Sequence, residues 1–272
     1  MSDRPAPTAV ATIARIPYLN SEPFYGRWSE APGTTLDLPP KALGEEARAG
    51  RADAGLMATA DWFTMEPLFE RVANFGISCR GTVQSVLLFS RVPVANLSNA
   101  VIDLTTESQT SVALLRILLA ARYGLNGITY RRRAVEAGET PLGDAWLLIG
   151  DAALRARAEA LEAAPGSEAR HVLDLGQAWL RWTRLPFVYA VWAVRAQLPA
   201  DDKTKLAAFL ETSLAEGERD LAKIAQRYAG RGLGSAEELT AYLAAFRYRL
   251  GEEEEAGLAH FRALWKEHCD GV

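Results

Sequence analysis

Two cysteines and three histidines in 272 residues leave little material for redox or metal chemistry. Cys79 and Cys269 lie almost a chain length apart without C-x-x-C spacing, so both read as buried or incidental thiols. His171 opens a strand and His260 and His268 lie on the terminal helices, so the three form no triad, and each reads as an ordinary histidine or, alternatively, a base. Basic charge does not dominate: 30 Lys and Arg face 34 Asp and Glu, for a net charge of −4 and a pI near 5.6. That balance excludes the electrostatic footprint of a nucleic-acid binder and means that a small anion needs locally arranged positive potential. Long apolar runs are absent too. The stretch 185–194 (LPFVYAVWAV) is about half the ~20 residues of a membrane span. The start, MSDRPAPTAV, has no apolar core after Arg4, which predicts no export and a cytoplasmic protein. G-x-S-x-G, Walker, G-x-G-x-x-G and H-E-x-x-H patterns are missing, as are solenoid repeats and low-complexity linkers.

What remains is a globular composition, 49% hydrophobic and 24% charged, at a length that suits two lobes. The runs 10–16 (VATIARI), 53–58 (DAGLMA), 100–104 (AVIDL), 145–150 (AWLLIG) and 171–175 (HVLDL) read as strands. Helices are predicted between them: one after Pro39 and Pro40 with Leu43, Ala47 and Ala52 on its face and a stop at Gly50, one near Trp62, one over 112–123, and an Ala/Arg-rich run over 152–163. This alternation predicts an α/β fold with a mainly parallel sheet and ligand-facing loops at the strand C-termini. Two apolar strands, 83–90 and 187–194, are read as crossings from one lobe to the other. They predict a discontinuous lobe of residues 1–88 and 190–272, a second lobe of 91–186, and a ligand cleft between them. Beyond Pro199 the chain reads as almost wholly helical. Leu206, Phe209, Leu210, Leu214 and Leu221 mark one core stripe, and Leu239, Leu243, Phe246 and Leu250 another. The Glu252–Glu255 run reads as a solvated helix start.

Several loop residues are candidates for chemistry. Asn20, in YLNSEP after the first strand, carries an amide that can donate and accept, although Asn20 or Ser21 can equally cap a helix. Thr59 has the same two readings, and Asp61 can cap the helix that starts near Trp62. Ser85 at the first crossing either faces a ligand carboxylate or is a satisfied strand serine. The strongest feature is Ser108-Gln109-Thr110-Ser111 ahead of an apolar helix, where free N–H groups, the helix dipole and the hydroxyls of Thr110 and Ser111 form an anion site. Gly150 and Asp151 make the matching loop after AWLLIG, with Asp151 either bonding a substrate hydroxyl or capping its helix.

The ordered set YLNSEPF (18–24), DAGLMATADWF (53–63), GTVQSVLLFS (81–90), ESQTSVALLRILL (107–119), LLIGDAAL (147–154) and DLGQAWLRWTRLPFVYAVW (174–192) resembles the chorismate dehydratases of the futalosine route to menaquinone. More distantly it resembles solute-binding proteins of the same fold. The resemblance runs over roughly residues 12–195 and implies a two-lobed, periplasmic-binding-protein-like (type II) fold with two hinge crossings. It also implies loss of water from chorismate to give 3-[(1-carboxyvinyl)oxy]benzoate, with no metal or organic cofactor. Asn20 matches the family's cleft asparagine, Ser85, Thr110 and Ser111 match its hydroxyl-bearing loops, and Thr59, Gly150 and Asp151 match less closely. The sequence departs from expectation in offering no obvious arginine for two substrate carboxylates. A non-catalytic small-anion binding protein and the 1,4-dihydroxy-6-naphthoate synthase of the same route are the alternatives, the latter expected to place a histidine in the cleft. No nucleic acid or membrane partner is expected, and the oligomeric state is not specified.

Overall fold

The computed structural model describes residues 11–133, 142–162 and 171–269, the side chains of 160–162 excepted. The predicted features within 1–10, and residue 163 at the end of the Ala/Arg-rich run, lie outside them.

The chain opens with β1 (Thr12–Arg15), a 3-10 helix (Leu19–Tyr25), β2 (Thr34–Asp37), α1 (Pro40–Arg48), β3 (Ala54–Ala58), α2 (Thr59–Met65) and β4 (Phe69–Cys79). Pro40 occupies the first turn of α1, where its missing N–H costs nothing, and Gly50 past the helix end takes φ +76°. The chain then builds a second sheet. It contains β5 (Val86–Ser90), β6 (Val101–Leu104), α3 (Gln109–Ile117), β7 (Thr129–Arg132), β8 (Ala145–Ile149), α4 (Gly150–Glu162) and β9 (His171–Asp174). After α5 (Leu175–Thr183) it returns to the first sheet as β10 (Phe187–Arg195). It finishes with α6 (Ala200–Arg219), α7 (Leu221–Tyr228), α8 (Ala236–Ala244), β11 (Phe246–Arg249) and α9 (Glu252–His268).

The six-stranded sheet runs β11-β4-β10-β3-β1-β2 and the five-stranded sheet β7-β6-β8-β5-β9. A mainly parallel sheet was expected, but both sheets are mixed. β1 pairs parallel with β2 and β3, and β6 with β7 and β8, while β10 and β5 each lie antiparallel to both neighbours. The reason is the connectivity: β5 enters the second sheet from the first, and β10 re-enters the first sheet from the second, so each arrives running against the local direction.

The crossings differ from the sequence reading. Val86–Ser90 lies wholly in the second sheet and Phe187–Arg195 wholly in the first, so the chain changes sheets between Cys79 and Val86 and again between Asp174 and Phe187. What breaks the first strand is local: Gly81 has φ +130° and Gln84 φ +62°, outside the extended region that continuous strand pairing uses. The two crossings are tied together by Asp174. Its carboxylate accepts from Val83 N (3.1 Å), Gln84 N (2.8 Å) and, as the cap of α5, Gln177 N (2.9 Å).

Several elements were missed, β7 and α5 among them. β2 is a fully exposed edge strand held by backbone pairing alone, which leaves no apolar signature. β11 interrupts the expected helical tail: Phe246 and Tyr248 point inward between exposed or half-buried arginines, a period of two rather than 3.6. Core packing is dominated by aromatics. Phe24, Trp179, Trp192 and Tyr242 are almost wholly buried, and truncating Trp192 to alanine costs about 3–5 kcal/mol on the usual scale. β5 is buried on both faces: Val86 and Leu88 join the main core, while Leu87 and Phe89 pack with Trp146 and Ala153. No helix among the described residues is long and apolar enough to cross a membrane.

Candidate active site

Strand ends from both sheets meet around a narrow cavity of about 70 Å3: the carboxyl ends of β1, β3, β4 and β8 and the amino ends of the antiparallel β5 and β10. Its apolar walls come from Ile16, Leu56, Ile77, Val83, Val86 and Ile149. Its polar groups come from Tyr18, Asn20, Ser21, Ser85, Ser108, Ser111 and Tyr189. No arginine, lysine, histidine or carboxylate side chain lines it among the described residues.

The hydroxyls divide by whether the protein already uses them. Ser21 Oγ donates to the carbonyls of Ile16 and Tyr18, both at 2.7 Å, and so shapes the turn after β1. Ser85 Oγ accepts from Tyr242 (2.9 Å) and lies 3.3 Å from Val83 O. Ser108 caps α3 by accepting from Ser111 N at 3.2 Å. Tyr18 donates to Glu107 across the cleft. Three groups have no protein partner among the described residues: the carboxamide of Asn20, the hydroxyl of Ser111 and the buried hydroxyl of Tyr189, whose side chain is 8% exposed. A buried polar atom without a partner costs about 1–3 kcal/mol, a cost that a ligand or water at the cavity recovers for Tyr189; Trp192 Nε1 and Tyr248 Oη are orphaned away from the cavity.

The predicted site residues therefore separate. Asn20, Ser85, Ser111 and Gly150 are brought to the cavity. Asn20 sits inside the 3-10 helix, whose start has no side-chain cap, so the capping role does not apply. Gly150 takes φ +57°, and a Cβ there would stand 3.2 Å from the ring of Tyr18, so both backbone and space call for glycine.

Three others are used differently. Thr59 Oγ1 donates to Val188 O (2.9 Å) and fastens α2 to β10. Neither Thr59 nor Asp61 caps α2: the cap position is Ala58, and Asp61 accepts from Arg48 at 2.9 Å. Thr110 Oγ1 accepts from Ala60 N across the cleft at 2.9 Å. Asp151 stands 3.4 Å from Leu19 N, again bridging the lobes, and does not line the cavity.

Electrostatics follow from burial. Burial, aided by Glu107, pushes the Tyr18 phenol far above its ordinary range, which keeps it a donor. Burial also raises Asp151, against the opposing pull of Leu19 N–H, Arg155 and Arg231. Asp174 is raised by burial as well, although its backbone N–H partners favour the charged form.

Sequence reasoning missed Tyr18 and Tyr189. Ser108 was within the noted turn, but Tyr18 and Tyr189 read as loop and strand aromatics with nothing to mark their hydroxyls. None of the three histidines reaches the cavity.

Two mixed α/β lobes joined by paired crossings around a cavity at the strand ends define a periplasmic-binding-protein-like fold. Solved structures agree. Protein AF1704 from Archaeoglobus fulgidus matches with a TM-score of 0.74 at 14% identity, covering 94% of this chain and 96% of that one. The Candida albicans CA3427 gene product, described as exhibiting the generic periplasmic binding protein fold, matches with a TM-score of 0.62 at 10% identity, covering 88% and 82%. The family is narrower than the fold. A family model described as menaquinone biosynthesis matches residues 11–267, and the chain belongs to that family. A chorismate dehydratase from Thermus thermophilus is 34% identical over 238 residues, 83% of this chain and 84% of that protein.

Proposed function

We propose that this protein is a chorismate dehydratase, a hydro-lyase that converts chorismate to 3-[(1-carboxyvinyl)oxy]benzoate in menaquinone biosynthesis. The observation that carries the reading is the cavity itself: Asn20, Ser111 and Tyr189 offer unpartnered polar groups, with no carboxylate or histidine lining the cavity among the described residues, in a chain 34% identical to a chorismate dehydratase. The reaction suits such a site. The C3–H bond of chorismate breaks with its electron pair delocalised through the adjacent ring double bond into the ring carboxylate. The C4–O bond then breaks, the departing hydroxyl takes up the proton removed from C3 and leaves as water, and the ring becomes aromatic.

With no carboxylate or histidine lining the cavity among the described residues, the substrate's own enolpyruvyl carboxylate takes the C3 proton. The protein then contributes orientation and charge stabilisation. Asn20 holds the reacting portion through its carboxamide. The first turn of α3, with Ser111, faces a substrate carboxylate and supplies N–H groups and the positive end of the helix dipole. A cavity of about 70 Å3 is well below the ~300 Å3 at which small-molecule sites begin, so the lobes part to admit chorismate and close over it. The same reading has the protein work in the cytoplasm on a small molecule, with neither metal nor organic cofactor.

Incubating the purified protein with chorismate and following the mass of the substrate tests the reading. Loss of one water, insensitive to chelators, is the expected result. Unchanged chorismate with folded protein overturns it, and activity abolished by a chelator and restored by one metal overturns the cofactor-free mechanism.

A further inference from the structure

Helix α3 has a second wall. Ser108 and Ser111 face the cavity described above, whereas Gln109, Ala113 and Arg116, at spacings of four and three, form another stripe along the helix. That stripe lines a separate crevice of about 180 Å3. On its far side stand Arg48 at the end of α1 and Asp61 and Thr64 on α2, and Arg132 of β7 adds a further guanidinium. The crevice is therefore walled by both lobes.

Three guanidinium groups meet one carboxylate there. Arg48 is committed to Asp61 at 2.9 Å and to Thr64 at 3.1 Å. Arg132 bonds only the neutral amide oxygen of Gln109, at 2.6 Å. Arg116 has no ion pair or hydrogen bond among the described residues. Its Cζ lies over the Tyr130 ring, 4.6 Å from the centroid, and its Nε is buried without a partner. An aromatic face fixes the plane of a guanidinium but leaves its N–H donors unspent. Arg116 thus has no carboxylate partner among the described residues, and Arg132 shares with Arg48 the attraction of the single carboxylate of Asp61, so positive charge is in excess among the described groups of the crevice.

We propose that this crevice is a second anion site, which takes a small oxyanion of the phosphate class. Arg116 and Arg132 supply donors from one lobe and Arg48 a further positive charge from the other, and a tetrahedral dianion presents several acceptors to such converging donors. Because the walls belong to both lobes, an anion held here favours the closed arrangement. The neighbouring cavity shares α3 and the bond of Thr110 to Ala60 N, so closure on one side promotes closure on the other.

The test uses the full chain without chorismate, so its outcome does not depend on the substrate assigned above. Inorganic phosphate is titrated by calorimetry and by thermal shift at constant ionic strength, with chloride as the balancing salt and glycerol phosphate as the ester comparison. Saturable binding is expected in the unaltered protein, with affinity falling about tenfold or more in Arg116→Gln and in Arg132→Gln, as loss of a charge-assisted hydrogen bond dictates. Arg132 is exposed, so its variant decides the matter if Arg116→Gln does not fold. Equal phosphate affinity in Arg132→Gln and the unaltered protein, or a stabilisation that chloride reproduces, overturns the site. Tighter binding of glycerol phosphate than of phosphate identifies the ligand as an ester, and the reverse order as the free ion. The linkage between the two sites is tested separately: chorismate and phosphate are expected to tighten each other's binding by the same factor, and independent binding overturns the shared closure.

Discussion

The hydroxyl of Thr110 accepts a 2.9 Å hydrogen bond from the backbone N–H of Ala60, joining the first turn of α3 to the first turn of α2 across the cleft. The bond satisfies one of the free donors at the start of α2 with an oxygen from the other lobe, so it exists only while the lobes are together. Thr110 bonds across the cleft and Ser111 lines the cavity, so on the proposed function the first acts on closure and the second on the ligand, though they are adjacent in sequence.

Replacing Thr110 by valine keeps the shape and leaves Ala60 N–H unpaired in the closed form alone. The expected loss is about 1–2 kcal/mol of closure, read as a rise of roughly five- to thirtyfold in KM for chorismate with kcat less affected. Steady-state kinetics check this, and a fall in kcat at constant KM contradicts it.

Asn20 contributes little to the core, being half-buried with its carboxamide unpartnered. Asn20→Ala is expected to melt within a few degrees of the unaltered protein and to lose at least about tenfold in kcat/KM, near 1.4 kcal/mol. Wild-type turnover in the folded variant removes Asn20 from the mechanism.

Tyr189 makes the opposite bargain visible. Its hydroxyl is buried without a partner, so Tyr189→Phe is expected to leave stability unchanged or raise it by about 1 kcal/mol, while weakening chorismate binding. Calorimetric melting alongside a binding titration checks both halves. A lower melting temperature with unchanged affinity assigns the hydroxyl a structural role instead.

Asp151 sets a pH dependence of definite sign. Burial raises its pKa in the folded chain, so the folded state binds this proton more tightly than the unfolded one. Its contribution to stability is then full below the unfolded value of about 3.9 and declines as pH rises through the window up to the raised folded value. Compared with Asp151→Asn, the unaltered protein is expected to gain stability as pH is lowered through that window. Melting curves of both proteins across the acid range decide it, and a relative loss on acidification contradicts the assignment.

Much of the architecture could be read from periodicity. β1, β3, β6, β8 and β9 fall within a residue or two of the apolar runs that predict them, the first four because they are largely buried strands between turn residues, whereas β9 is exposed to half-buried. The site was legible to the level of loops but not of faces. α3 begins at Gln109 rather than Val112, and an earlier start puts Thr110 and Ser111 into its first turn, about 100° apart around the axis. Sequence cannot tell which of the two faces a ligand, since that depends on how α3 packs against α2. Tyr189 was invisible for a different reason: an aromatic in an apolar strand looks the same whether its hydroxyl is paired or orphaned. The strand β11 was legible in principle, since Phe246, Tyr248 and Leu250 alternate with arginines, but Leu239, Leu243, Phe246 and Leu250 also fit a helical spacing.

The position of β10 has a consequence for the order in which the chain takes shape during synthesis. It lies between β4 and β3, so until residues 187–195 have emerged from the ribosome the six-stranded sheet is two separate fragments. All five strands of the other sheet have been made by residue 174. The inserted lobe is thus complete in sequence while the lobe that begins the chain still lacks its middle, and the amino-terminal fragments wait, with β3 and β4 exposing the edges that β10 will occupy.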